Sequence, residues 1–276
     1  MPIRIDHVII AGPDLAALEE AFTKLGFYVT GGGEHPHLGT RNRVIILDES
    51  YIELLAVADP ERASPTLVDL IAKGGGWIGY ALQSADILAE TEAMLIRAID
   101  ARGPNVGQLV APDGTRRSWR VTTIGSDDLW RAALPLPFLI QHDTTGLTHR
   151  RELAGADGLM PHRNGASHLM SVRINDPDVA RLARRYESVY RIAGAISRSV
   201  WEGEENINAN FPLESGEAIQ LNQDPRVSMS IRIRVNRPEV IEELGWPTRV
   251  SLSRTSRTLA VILPGVRAEI EFTASR

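Results

Sequence analysis

Residues 171–178 repeat residues 7–14. Set in register, Val8, Ile10, Pro13 and Asp14 fall on Val172, Ile174, Pro177 and Asp178, and the match continues with Ala16 on Ala180, Leu18 on Leu182 and Phe22 on Tyr186. Each copy is an apolar strand that stops at Pro-Asp, followed by apolar residues at helical spacing. A repeat on this scale constrains the architecture more than any single strand does. The first unit predicts a strand over 3–11, a helix from Asp14 to Gly26, and strands over 27–29, 41–47 and 51–57, with Gly31-Gly32-Gly33 opening a loop through His37. After a short helix over 66–73, the order restarts with a strand over 77–82 and a helix over 86–101 that turns Leu88, Met94, Leu95 and Ile99 inward. Strands over 105–111, 118–124 and 137–141 complete the second unit. The third unit has a strand over 168–174, a helix to Ile192, and strands over 197–201 and 218–222. The fourth begins at Val227, with a short helix over 238–244 and strands over 259–263 and 266–272.

The expected fold is therefore α+β: four tandem βαβββ units paired as two halves, 1–145 and 165–276, joined by a crossing linker over 146–164. One such unit leaves a sheet face uncovered. Two side by side make a larger, curved mixed sheet around a cleft.

The totals fit that design and exclude other classes. A chain of 276 residues, 43% hydrophobic and 24% charged, has apolar material for a sizeable core. A net charge of −5 argues against a nucleic-acid or membrane-surface binder, which would need a basic face. With no cysteine there is no disulfide, thiolate metal site or cysteine nucleophile. No leader pattern precedes the first strand and no apolar run is long enough to span a bilayer, so the expected location is cytoplasmic. No Gly-x-Ser-x-Gly elbow and no phosphate-binding glycine loop followed by Lys appears.

Two polar residues interrupt apolar strands. His7 lies in the first and Glu53 in the fourth, and a buried polar group costs free energy unless something pairs with it. Strand alternation puts Tyr51, Glu53 and Leu55 on one face. His7 reads either as a metal ligand or general base, or as a core histidine bonded to Glu53. Glu53 in turn could pair with Arg41 or Arg43 across the hairpin. His35, Thr40 and Asn42 would offer polar groups to a pocket wall, or simply solvate a turn. Arg116, Arg117 and Arg120 flank Trp119, and alternation groups Arg117 with Trp119 and Val121. An arginine beside an indole could hold a carboxylate, although a solvated turn explains the arginines equally. His142, His149, His162 and His168 match no zinc spacing and read as surface residues. Glu271 aligned with Arg232 reads as an ion pair.

The motifs Asp6-His7-Val8-Ile9, Gly32-Gly33-Glu34-His35-Pro36, Gly39-Thr40-Arg41-Asn42 and Tyr51-Ile52-Glu53-Leu54 resemble the vicinal oxygen chelate superfamily, and within it the glyoxalase-like domain proteins. Leu136-Pro137-Phe138-Leu139-Ile140 and Asn164-Gly165-Ala166 fit the same pattern. That superfamily includes glyoxalase I, extradiol dioxygenases and bleomycin-resistance proteins. The resemblance implies a divalent metal held by a His and a Glu of one unit plus ligands from its pair. His7 and Glu53 fill the first positions. Gly79 stands where the paired histidine would be, Gln141 aligns opposite Glu53, and His35 offers a third nitrogen. A set of His, Glu and Gln is weak for Zn²⁺ and better for Fe²⁺, Mn²⁺ or Mg²⁺, with Ni²⁺ also in range. The implied activity is that of a metal-dependent lyase, isomerase or dioxygenase acting on a small molecule with vicinal oxygens. Glu53 would move the proton, and Thr40, Asn42, Trp119 and Arg117 would line the pocket. The rival readings are a metal-free small-molecule binding protein and a structural paralogue. A small-molecule ligand and a homodimer are the partners expected, with no nucleic acid and no membrane.

Overall fold

The computed structural model describes residues 4–132, 136–201, 204–246, 248–252 and 256–275. The chain forms four βαβββ units. The first comprises β1 (Ile5–Ala11), α1 (Leu15–Lys24), β2 (Thr30–His35), β3 (Thr40–Ile46) and β4 (Tyr51–Val57). α2 (Pro65–Ala72) leads to the second unit: β5 (Gly76–Gln83), α3 (Ile87–Ile96), β6 (Ala101–Val110), β7 (Arg116–Ile124), the single turn α4 (Leu129–Ala132) and β8 (Phe138–His142). α5 (Gly146–Ala154) bridges to the third unit, β9 (His168–Asp176), α6 (Val179–Tyr190), β10 (Ala195–Trp201), β11 (Glu204–Pro212) and β12 (Ala218–Gln223). The fourth is β13 (Ser228–Arg234), α7 (Glu239–Glu242), β14 (Thr248–Leu252), β15 (Ser256–Ile262) and β16 (Glu269–Ser275). Among the described residues no helix is long and apolar enough to cross a membrane.

The aspartates that end the unit-opening strands cap the helices that follow. Asp14, Asp86 and Asp178 accept from the backbone N–H of Ala16, Ala89 and Arg181 at 2.9, 3.1 and 2.9 Å. Such a cap is worth about 1 kcal/mol, so a short polar residue at this place sets where each helix begins.

The first two units close into a barrel of order β1-β4-β3-β2-β6-β7-β8-β5. The second two give the same succession of strands, β10-β11-β12-β9-β13-β16-β15-β14, as an open sheet with β10 and β14 at its edges. One apolar core spans the two halves, with Phe22, Tyr80, Tyr186, Tyr190, Phe211 and Phe272 among its members. Polar ties run through the junction. The hydroxyls of Tyr80 and Tyr186 share a hydrogen bond. Tyr190 Oη donates to Pro137 O at 2.5 Å and Trp77 Nε1 to Glu269 O at 3.0 Å.

Several elements differ from the sequence reading. Residues 27–29 are not a strand, and the glycine run does not open a loop. Gly31-Gly32-Gly33 lie inside β2, with Gly31 and Gly32 at φ +55° and +92° and a register shift between Thr30 and Gly33. A Cβ on Gly33 would sit 2.3 Å from Val110 O of β6, so the glycines let β2 approach and close the barrel. Helix α3 ends at Ile96, and β6 has begun by Ala101, before Gly103-Pro104. The buried face of α3 is Ile87, Thr91 and Met94, leaving Leu88 and Leu95 exposed. β11 and β14 had no expected counterpart. The segment over 146–164 is more than a crossing: it carries α5, and His162 fastens it to the first half. His162 Nδ1 accepts from Tyr28 N–H and its Nε2 donates to Ile46 O, each at 2.9 Å. Burial holds this imidazole below its ordinary pKa, in keeping with one neutral tautomer serving both bonds.

Candidate functional site

The barrel encloses a cavity of about 460 Å³, of the size that binds small organic molecules. Every second residue of its strands faces inward. β4 sends in Tyr51 and Glu53, β7 Arg117, Trp119 and Val121, and β8 Phe138, Ile140 and His142. One end is apolar, built from Ile9, Trp119, Val121, Trp130, Phe138 and Ile140. The other end is a cluster of ionisable side chains.

The cluster begins at a bulge in β1. Pairing with β5 slips one residue between Ile5 and His7, leaving Asp6 the extra residue. A bulge re-aims side chains, and here both neighbours are buried and in contact. Because Asp6 is an ionised acceptor, His7 Nδ1 and His142 Nε2 both donate to Asp6 Oδ1, at 2.6 and 3.1 Å. Burial by itself would raise the Asp6 pKa, but His142 and His7 outweigh it and hold the carboxyl well below its usual range. Tyr51 stacks on His7 with ring centroids 4.6 Å apart, and burial raises its phenol well above 10.

With Nδ1 occupied by Asp6, the other nitrogen of His7 faces Glu53, with Nε2 and Oε2 3.7 Å apart. His35 is arranged the same way. Its Nδ1 and Thr40 Oγ1 share a 2.8 Å hydrogen bond, and its Nε2 lies 3.8 Å from Glu53 Oε1. Asn42 Nδ2 donates to Glu53 Oε1 at 2.6 Å and reaches 3.4 Å from His35 Nε2, while Gly33 N–H donates to Asn42 Oδ1 at 3.1 Å. That network assigns the His35 proton to Nδ1. Burial, which outweighs the pull of Glu53, keeps this ring below its ordinary pKa and neutral at pH 7. The two ring nitrogens thus face the two oxygens of one carboxylate, His7 toward Oε2 and His35 toward Oε1.

The donor types, two imidazole nitrogens and a carboxylate, are those of a divalent-metal site. The 3.7 and 3.8 Å separations are too long for hydrogen bonds. A metal with ligands at about 2.0–2.2 Å holds neighbouring ligand atoms about 3–4 Å apart. Both rings have their far nitrogen fixed by Asp6 or Thr40, the outer-shell support metal-binding histidines use. Among the described residues, the three ligand atoms that do lie within 4.8 Å of one another are those of Asp6, His7 and His142, so His7, His35 and Glu53 would have to draw together around an ion. There the spacings are hydrogen-bond lengths, and Asp6 already satisfies both rings.

His7, His35, Asn42, Glu53, Arg117 and Trp119 all line the cavity. Thr40 stands behind His35 and does not. Gln141 is not part of the cluster: its amide oxygen accepts from Ile87 N–H at 3.1 Å and its Nδ-equivalent amide nitrogen, Nε2, donates to Ala85 O at 2.9 Å, tying β8 to the start of α3. Its neighbour His142 faces inward instead. Arg43 lies outside the barrel with Asp157 at 3.2 Å, so it is not the partner of Glu53. His142 and His149 line the wall, with Asp6 bonded to His7 and His142 behind it, and none of the three was expected there. His149 packs against His142 with centroids 4.0 Å apart and the rings tilted by 34°, and burial followed by the His142 charge pushes its pKa down to about 4. His168 is exposed and pairs with Asp48 at 3.2 Å. In the second half, Glu271 is buried against Arg232 Nε at 2.7 Å and bonded also to Arg173.

Residues 5–190 match the family model of the glyoxalase-like domain. No curated protein matches the sequence. Among solved structures, a hypothetical protein from Staphylococcus aureus is similar with TM-score 0.70 and 14% identity, covering 98% of each chain. A triple mutant of 4-hydroxymandelate synthase from Streptomyces coelicolor follows with TM-score 0.65 and 12% identity over 100% of this chain and 93% of that one. A catechol 2,3-dioxygenase gives TM-score 0.59 and 12% identity over 99% and 93%. At these identities the likeness establishes the fold.

Proposed function

The chain belongs to the glyoxalase-like domain family, and from that premise we propose that its barrel cavity binds a small organic molecule with vicinal oxygens beside a divalent metal held by His7, His35 and Glu53. The observation that carries this reading is the pair of imidazole Nε2 atoms aimed at one carboxylate while each Nδ1 is fixed from behind. A metal there supplies Lewis-acid stabilisation of an oxyanion or enolate. The chain's own groups do the rest. Asp6 sets the tautomer of His7, and Thr40 that of His35. Asn42 orients Glu53 so that Oε2 stays available to accept a proton from a substrate carbon or hydroxyl. Trp119, Phe138 and Ile140 give the apolar part of the occupant a surface to pack against. Homologous architecture supports this weakly, because one fold carries several chemistries.

A second reading, metal-free binding, is favoured by one observation: Asn42 already satisfies Oε1 of Glu53 at 2.6 Å. Plasma mass spectrometry of the purified chain and of Glu53→Ala separates the two. About one metal per chain, lost in the variant, is the expected result. A wild type that is empty and gains no thermal stability from Mn²⁺, Fe²⁺, Zn²⁺ or Ni²⁺ refutes the metal site and leaves the binding reading.

A further inference from the structure

We propose that Arg117 forms an anion subsite in the barrel cavity, so that the molecule it takes is a planar aromatic carrying a carboxylate. The inference rests on the cavity being a small-molecule site, as proposed above, and adds the chemical class of its occupant.

Arg117 projects from β7 into the cavity beside Trp119. Among the described residues its hydrogen bond is to a neutral partner, Nη1 donating to the backbone oxygen of Glu152 at 3.0 Å. The surrounding acids are engaged elsewhere. Glu152 Oε2 accepts from Thr144 Oγ1 at 2.5 Å, Asp113 Oδ1 from Thr115 N–H at 2.9 Å, and Glu53 Oε1 from Asn42 at 2.6 Å. Among the described residues no carboxylate lies within ion-pair distance of this guanidinium, although half of its side chain is withdrawn from water. Burial accordingly lowers its pKa. A half-buried cation without an acid, on a cavity wall, is complementary to an anion that the cavity admits.

His149, on α5, supplies the second group. Its Nε2 is buried with no hydrogen-bond partner, on the wall of the same cavity, and the ring lies near enough for the Arg117 charge to act on it. A guanidinium fork matches a carboxylate with two parallel bonds, whereas His149, whose Nδ1 faces Thr144 Oγ1 at 3.5 Å, presents an Nε2 lone pair that accepts from a hydroxyl of the occupant. The rest of the occupant is set by the opposite surfaces. Trp119 lies flat over Gly107, where a Cβ would come within 2.3 Å of the indole, and it meets Phe138 and Ile140 across an apolar slot. Aromatic walls of this kind take a flat ring.

The test compares 1-naphthaleneacetate with its uncharged isostere 1-naphthaleneacetamide. Binding is followed by tryptophan fluorescence and calorimetry in the wild type, Arg117→Met, Arg117→Lys and His149→Leu, with and without chelator. The wild type should prefer the acid by about tenfold to a hundredfold, with or without chelator. Arg117→Met should bring the acid down to the level of the amide while amide binding persists, which also shows that the variant is folded. Arg117→Lys should retain part of the preference, and His149→Leu should leave the preference for the acid in place. Equal wild-type affinity for acid and amide overturns the subsite and leaves the cavity reading intact. A preference that survives in Arg117→Met, or that chelator removes from the wild type, also overturns it by giving the carboxylate to another group. Failure of both probes to bind the wild type overturns the subsite together with the small-molecule reading of the cavity.

Discussion

Replacing Asp6 by Ala tests the electrostatic design of the cluster. Asp6 is 6% exposed and accepts from His7 Nδ1 at 2.6 Å and His142 Nε2 at 3.1 Å. Alanine leaves both N–H groups buried without an acceptor, at about 1–3 kcal/mol each. Removing the buried carboxylate relieves part of that cost, so the expected loss is about 2–4 kcal/mol. Asp6→Asn keeps an acceptor oxygen and should lose about 1–2 kcal/mol, the difference between charged and neutral hydrogen bonds. The two variants should also differ toward metal. Without Asp6 the His7 ring is free to turn, and outer-shell losses of this kind weaken metal binding by about tenfold to a hundredfold. The sign of the pH effect follows from the depressed Asp6 pKa. Below about pH 4 the unfolded chain takes up a proton that the native carboxylate refuses. The stability Asp6 provides is therefore complete above that pH and lost as pH falls further. Urea denaturation at pH 7 and at pH 3.5, with chelator competition for metal affinity, measures all three. A loss below about 1 kcal/mol in Asp6→Ala with unchanged metal affinity refutes the bridging role argued from these contacts.

Three further perturbations have defined outcomes. His149 is held near pKa 4 in the folded chain, against about 6.5 when unfolded, so stability should fall as pH drops between those values, by up to about 3 kcal/mol, and His149→Gln should flatten that part of a stability profile measured from pH 7.5 to 4.5. Gly107→Ala places a methyl 2.3 Å from the Trp119 indole, and should cost about 1–3 kcal/mol and shift the tryptophan emission; an unchanged spectrum with full stability contradicts the packing. Glu271→Gln removes the carboxylate between Arg173 and Arg232 and should destabilise the chain by about 1–3 kcal/mol, discounted because both arginines are partly exposed, while metal content stays the same as in the wild type.

The repeat carried most of the architecture. Pro-Asp after an apolar strand is a local signal with a local cause, the cap, and it made the starts of the first and third units legible, while β11 and β14 of the second half carried no pattern strong enough to read. Closure was not, because it depends on how near β2 and β6 can come, and a glycine run reads the same in a loop as in a strand. For the site, Tyr51, Glu53, Arg117 and Trp119 lie on strands whose alternation could be phased, and their faces followed. β8 could not be phased: Phe138, Leu139 and Ile140 are all buried, some toward the cavity and Leu139 toward the core, so the run has no alternation to read. A one-residue slip exchanges the faces of a strand, and that slip put Gln141 where His142 stands. Asp6 was hidden for a related reason. Its inward turn comes from a bulge in the β1–β5 pairing, which no local pattern announces.

The same strand order serves two different ends in the two halves, and the inner-face residues explain why. In the first half, Ile9, Val121, Phe138 and Ile140 make the inner face apolar, so closing the barrel removes that surface from water. Three glycines in β2 permit the closure. In the second half, Ser171 stands at the His7 position and Arg173 at the Ile9 position, and Glu271 is neutralised by Arg173 and Arg232 across β9, β13 and β16. That surface is already satisfied by its own ion pairs and tolerates water. Its edge strand β10, Ala-Ile-Ser-Arg-Ser-Val-Trp, has no glycine to admit a neighbouring strand as closely as β2 does. Closure, an apolar slot and unpaired polar groups therefore occur together in the first half. The carboxylate of the second half is held by fixed cations of the chain, whereas Glu53 faces two imidazole nitrogens and the amide of Asn42.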